Sequence, residues 1–180
     1  MDKEIKQILN KYQKSFKEKT YSEENDDYDI LMNIFDITPE RKRENRQYWG
    51  RELGMLWQLI VTQICSENCD DFEPALKIDG DEPVDLRIGK DAIDTKYRIG
   101  SGDSGTLKKF KSYGKQLKEM GYNPIILILR TDNLPAAIKA CNAGGWKVLT
   151  GEDTFNYIFK KTGIKIEEYL ANYSHKYSIY

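Results

Sequence analysis

Apolar positions along this chain recur at two periods, and the switches between them lay out an ordered set of elements. Ile5, Ile8, Leu9, Tyr12 and Phe16 stand three to four residues apart and predict an amphipathic helix over 3–19. The acidic stretch "SEENDDYD" interrupts that pattern, a short apolar segment follows at 28–35, and Pro39 opens the basic run "RKRENR". "QYWGRELGMLWQLIVTQICSE" then predicts a long buried helix at roughly 47–67, with Trp49, Leu53, Leu56, Ile60 and Ile64 as its stripe. Beyond it the period falls to two. "ALKID" (75–79), "VDLRI" (84–88) and "AIDTKYRI" (92–99) predict strands, separated by Gly80 and by Gly89-Lys90 as turns. A lysine-rich helix over 106–120 stops at Gly121, and "IILILR" (125–130) is apolar enough for a strand covered on both faces. A helix at 134–143, the strand "WKVLT" and a helix at 152–161 complete the pattern, with no repeat and no low-complexity linker.

Composition narrows the class. With 180 residues, 39% apolar and 32% charged, the chain has the size and balance of one globular domain. No apolar run approaches the ~18 residues of a membrane span, and the first residues lack the apolar core of a secretion signal. The expectation is a cytoplasmic protein with no membrane partner. Cys65, Cys69 and Cys141, with the single His175 in the tail, do not make a four-ligand zinc set, so they read as reduced thiols. Net charge is only −1, yet its distribution is uneven. Nine basic residues face three acidic ones between Arg87 and Lys118, against six and nine between Met1 and Asp36. The middle of the chain can therefore present a positive surface to a polyanion.

"GSGDSG" (100–105) matches the G-x-G-x-x-G of a dinucleotide-binding turn. Its context does not. The preceding strand carries Asp94, Thr95, Lys96 and Arg98, too polar for the doubly covered first strand of that fold, and too few strands follow. No nucleotide cofactor is expected.

Alternation along the two charged strands suggests another chemistry. Ile93, Thr95, Tyr97 and Ile99 point one way and Asp94, Lys96 and Arg98 the other, while Val84, Leu86 and Ile88 leave Asp85 and Arg87 opposite. Pairing with the apolar sets in register brings Asp85, Asp94 and Lys96 to one side. Two adjacent carboxylates repel, and a divalent cation relieves the repulsion. Mg²⁺ suits a site with few carboxylates plus phosphate oxygens. A lysine beside them can orient or deprotonate water, or stabilise charge on phosphate. The same spacing also fits a partly exposed hairpin with ordinary surface charges.

Pro83-Val84-Asp85, nine positions before Asp94-Thr95-Lys96, resembles the D…(D/E)-x-K signature of the PD-(D/E)XK nucleases, the superfamily of most type II restriction endonucleases. The proline stands one residue further from the aspartate than the literal motif, and the second acid is Asp instead of the commoner Glu. The resemblance spans roughly 47–150 and includes the order of elements, αβββαβ. It implies an α/β restriction-endonuclease-like core, a mixed sheet flanked by helices. It also implies Asp85 and Asp94 as metal ligands and Lys96 as the catalytic lysine. Members of the superfamily often carry a glutamate on the first core helix, which here would be Glu52, a further ligand; a first-turn glutamate paired with Arg51 is the alternative.

These expectations assemble into a single nuclease domain, 1–180. Residues 1–45 form an N-terminal helical extension for dimerisation or DNA contact, 46–162 the core and 163–180 a C-terminal tail. Arg98, Ser101, Asp103, Ser104, Thr106, Lys108, Lys109 and Lys111 are candidate DNA contacts, with Ser104 also a candidate cap of the following helix. The expected activity is Mg²⁺-dependent, sequence-specific cleavage of double-stranded DNA by a homodimer on a palindromic site. A repair, junction-resolving or mobile-element nuclease of the same fold and a catalytically silent DNA-binding module are the alternatives.

Overall fold

The computed structural model of the protein describes residues 2–180. In chain order the elements are α1 (Asp2–Glu18), β1 (Thr20–Tyr21), α2 (Ile30–Phe35), α3 (Pro39–Glu44), α4 (Arg46–Asn68), β2 (Phe72–Ile78), β3 (Asp81–Ile88) and β4 (Asp91–Lys96). They continue as β5 (Ser101–Gly102), α5 (Ser104–Glu119), β6 (Asn123–Ile128), α6 (Pro135–Gly144), β7 (Lys147–Thr150), α7 (Glu152–Thr162) and α8 (Ile166–Ala171). Side-chain caps start several helices: Asp29 accepts from the Leu31 and Met32 amides, Thr38 from Arg41 and Asn45 from Tyr48.

Five strands form one mixed sheet in the order β2-β3-β4-β6-β7. β2, β3 and β4 are antiparallel neighbours, whereas β4, β6 and β7 run parallel, joined by the crossover helices α5 and α6. This is the expected mixed α/β architecture with helices on both faces. It is not a doubly wound parallel sheet, because β4 lies antiparallel to β3.

Each face has its own core. Leu53, Trp57, Val61 and Ile64 of α4 pack with Leu86, Ile88, Ile93, Leu127 and Ile158 on one side. Val84, Ala92, Ile126 and Ile128 pack with Leu117, Ala137, Cys141 and Trp146 of the α5–α6 layer on the other. Burial of each such side chain contributes about 1.5–3 kcal/mol. α5 and α6 approach closely at Gly114 and Gly144, where a side chain at 114 would collide with the Gly144 carbonyl and the Trp146 ring.

Two expectations are corrected here. β4 ends at Lys96 instead of running to 99, and Ser101–Gly102 pairs with Thr20–Tyr21 in a separate two-stranded ribbon. Val84 does not share a face with Leu86 and Ile88. It packs with Leu76 in the α5–α6 layer, while they pack under α4. The cause lies in the pairing of β3 with β4, whose ladder runs only from Ile88↔Asp91 to Leu86↔Ile93. Towards Val84 the chain leaves that ladder and turns its faces over.

The segments flanking the core are bound to it. Leu31, Met32, Ile34 and Ile37 are buried in the α4 core, as are Ile166 and Leu170 of α8. The final residues pair with α2 through amide donations from His175, Tyr177 and Ile179 to the carbonyls of Asn33, Ile34 and Phe35. "SEENDDYD" is not merely a break. Arg130, 5% exposed at the end of β6, clamps Asp132 with both Nε (2.9 Å) and Nη2 (3.1 Å). It also donates to Asp29 (3.0 Å) and the Asp27 carbonyl (2.9 Å). Lys42 of the basic run is buried as well, bonded to Glu24 and, at 2.6 Å, to the Tyr97 hydroxyl.

Removing one partner from such a network strands the others without a counter-charge. Arg130→Met should lower stability by about 3–5 kcal/mol, read as a fall in the urea midpoint at constant slope. A loss under about 1 kcal/mol, the range of an exposed pair, would show that the network does not hold the N-terminal segment.

Candidate active site

The site begins where the β3–β4 ladder stops. Past Leu86↔Ile93 the Thr95 amide has no strand partner on that side, and a buried N–H must be satisfied. The Asp85 carboxylate satisfies it. Its Oδ2 accepts from Thr95 N at 2.7 Å and from Thr95 Oγ1 at 2.6 Å. Both donors use one oxygen, and among the described residues nothing donates to Asp85 Oδ1.

Asp94 stands one residue back on β4. Alternation points it to the α5–α6 face, beside Cys141, where it is 6% exposed. Its Oδ1 accepts from Lys96 Nζ at 2.7 Å, and its Oδ2 has no donor among the described residues. Burial is the main influence on this carboxyl and outweighs the lysine; with the Asp85 charge it pushes the pKa up to about 6. Lys96 shows the converse balance. Burial works to lower its pKa, and the charges of Asp94 and then Asp85 outweigh it, so the amine is held above its ordinary range. Lys96 is therefore a cation at neutral pH, suited to orienting water or stabilising phosphate charge and not to acting as a free base. Cys141 is pushed up to about 12, first by burial and then by Asp94, and stays a thiol.

The structure thus pairs Asp94 with Lys96, sets Asp85 near enough for its charge to act on both, and does not bring Glu52 to them. α4 packs on the opposite face from Asp94, with Leu53, Trp57 and Val61 at the centre of its buried stripe. Glu52 falls outside that stripe, its side chain 47% exposed and bonded to Arg51 at 2.9 Å. The expectation that Glu52 lies within the buried face is corrected: Trp57 and Val61 outweigh Leu56 and Ile60 and rotate the helix away from it. Among the described residues no group of three or more His, Cys, Asp or Glu is placed to hold a metal ion. The donor set is two carboxylates, each with one free hard oxygen, and this fits Mg²⁺, which takes one or two carboxylates and completes its shell with water and phosphate.

The candidate DNA contacts divide. Arg98 is consumed internally, donating to Ser22, the Glu23 carbonyl and Asp132. Asp103, not Ser104, caps α5, accepting from Thr106 N at 2.7 Å. Lys109 pairs with Asp81 at 3.1 Å. Ser101, Ser104, Thr106, Lys108 and Lys111 are exposed. Thr95 was the residue sequence reasoning missed; only the end of the β3–β4 ladder reveals its hold on Asp85.

A mixed α/β sheet with paired acids and a lysine on adjacent central strands has the equipment of a hydrolase acting on an anionic substrate. Comparison with known families gives the class its member. Residues 1–175 match the family model of ApaLI-like restriction endonucleases, and the chain belongs to that family. It is a restriction endonuclease, a site-specific hydrolase of DNA. No curated protein and no solved structure matches the chain. No helix of the described residues is long and apolar enough to cross a membrane.

Saturating Mg²⁺, at about 100 times its dissociation constant, should add roughly 2.7 kcal/mol. That raises Tm by roughly 5–10 °C for a chain of this size, read by scanning calorimetry; Asp94→Asn should abolish the rise. Without metal the folded Asp94 keeps its proton up to about 6, whereas the unfolded one releases it near 3.8. Stability should therefore fall as pH rises through that interval and stay flatter in Asp94→Asn. Equal Mg²⁺ shifts in both proteins would remove Asp94 from the binding set.

Proposed function

We propose that this chain hydrolyses phosphodiester bonds of double-stranded DNA at Asp85, Asp94 and Lys96, as a Mg²⁺-dependent PD-(D/E)XK restriction endonuclease. The observation that carries the reading is Asp94. This buried carboxyl stays raised in pKa even beside the Lys96 cation, because burial and the Asp85 charge outweigh it. A divalent cation shared with Asp85 would stabilise its ionised form. Asp85 and Asp94 would hold Mg²⁺, which supplies charge neutralisation at the phosphate and a more acidic water. Lys96, kept protonated by the two acids, orients the attacking water and stabilises charge growing on the phosphate. Thr95 fixes Asp85 so that its free oxygen stays in place.

The enzyme acts as a homodimer on a palindromic site, because a two-fold protein matches a two-fold duplex and cuts both strands. The apolar stripe of α1 supports this. Ile5, Ile8, Leu9, Tyr12 and Phe16 are 49–72% exposed. None of them belongs to either core cluster. An apolar stripe of that size left open to water is a surface that a second copy of α1 can cover.

Lys96→Ala and Asp94→Asn should each reduce cleavage of phage-sized DNA by about 100-fold or more while leaving the circular dichroism spectrum unchanged. Discrete, sequence-defined fragments from the wild type support restriction; cleavage confined to branched or damaged DNA points to a repair or junction-resolving nuclease. Leu9→Asp should shift sedimentation from dimer to monomer. If Lys96→Ala cuts as well as wild type, the site is misassigned.

A further inference from the structure

The chain contains seven arginines. Six are bound internally: Arg41 to Glu44, Arg43 to Asp26 and Glu40, Arg51 to Glu52, Arg87 to Glu73, Arg98 to Asp132, and Arg130 to Asp29 and Asp132. Arg46 alone makes no hydrogen bond or ion pair with the described residues. It opens α4 and, with Gln47 beside it, lines a cleft of about 500 Å³. Gln47 is likewise exposed, and its side chain makes no hydrogen bond with the described residues.

The cleft is built rather than incidental. Its floor is Tyr97, Arg98 and Gly100, the direct continuation of the catalytic strand past Lys96. Arg98 is locked by its bonds to Ser22, Glu23 and Asp132, so the floor cannot collapse inward. Gly100 keeps it flat, because a side chain there would collide with the Arg98 guanidinium. The opposing wall is the β1–β5 ribbon, with Ser101 and Tyr21 exposed and Lys19 adding a second cation. The single acid of the lining, Glu24, is engaged by Lys42. The charge left facing the opening is positive.

We propose that this cleft receives the DNA duplex a few base pairs from the cut, with Arg46 and Gln47 reading base edges and Lys19 holding a phosphate. The proposal rests on the endonuclease reading above. Arginine pairs bidentately with guanine and glutamine with adenine in the major groove, and both side chains stand ready because nothing inside the protein occupies them. The reach is suitable. Five residue steps lead from Lys96 to Ser101, at most about 17 Å of extended chain, or roughly five nucleotide steps of a DNA strand. The long positive helix α5, which charge counting favours, is thereby assigned less of the reading than a pair of residues in a run that is otherwise neutralised.

The test begins by digesting phage DNA of known sequence with wild type in Mg²⁺ and sequencing the ends, which yields the site. Fluorescence anisotropy then measures binding of a duplex carrying that site and of a scrambled duplex, all in a Lys96→Ala background so that nothing is cut. Arg46→Ala and Gln47→Ala should each weaken the cognate duplex by about tenfold or more and the scrambled duplex far less, with unchanged Tm. Lys19→Ala should weaken both duplexes alike and lower the salt slope by about one. If Arg46→Ala also lowers Tm, Arg46→Met, which keeps the length of the side chain and removes its donors, decides: lost cognate preference with retained general affinity supports reading, and intact preference overturns it. Wild-type binding and digestion in both the Arg46 and Gln47 variants would overturn the cleft assignment and leave the endonuclease reading standing. A wild type that neither cuts nor binds any duplex would remove both.

Discussion

A charged group taken out of water must meet its counter-charge, and this requirement organises the chain at two places. At Asp94 it fixes Lys96 and makes the carboxyl reluctant to ionise. At Arg130 it draws the acidic segment before α2 onto the ends of β4 and β6. The two places share a strand. Tyr97, the residue after Lys96, joins Lys42 and Asp29 in the second network and lies on the face opposite to Asp94. One strand end therefore carries the Asp94–Lys96 pair on one side and the anchor of the N-terminal segment on the other.

Backbone pairing and side-chain chemistry are linked by a similar constraint. β3 must leave β4 for Asp85 to enter, and its departure leaves the Thr95 amide in need of an acceptor. Asp85 fills that need with one oxygen and retains the other. The order of strands, with β4 between an antiparallel and a parallel neighbour, places this opening at the middle of the sheet, where both faces are covered by helices. Coverage is what raises the Asp94 pKa, so the architecture is itself part of the electrostatics.

The elements and their order were legible in the sequence because period and punctuation report local geometry directly. So was the pairing of Asp94 with Lys96, since alternation along β4 puts both on one side. Asp85 comes near them only because β3 turns over beyond the ladder, which alternation does not report. The rest depended on pairing between distant segments, which one-dimensional charge counting does not register. "RKRENR" reads as a basic run before α4, yet Lys42 and Arg43 find Glu24 and Asp26, and Arg41 finds Glu44. The acids that neutralise Lys42 and Arg43 sit in the stretch that reads as a break. Glu52 failed for a different reason. The stripe through Trp49, Leu56 and Ile60 and the stripe through Trp57 and Val61 are neighbours on one helix, and only packing selects between them. A rotation of that size carries a residue from the core to solvent.

The sparse donor set has a consequence for how such an enzyme would couple recognition to cutting. Two free carboxylate oxygens cannot complete a shell of six, so the remaining places belong to water and to the substrate's own phosphate. Without that phosphate the carboxyl of Asp94 keeps its proton up to about pH 6, and a cation bound by two acids alone would be weakly held. Correctly seated DNA would supply the missing oxygens and stabilise the ionised form. On this reading the metal site is finished by the duplex, and a duplex held out of register a few steps away leaves it unfinished. Specificity then acts on catalysis as well as on affinity, through a site kept deliberately short of ligands.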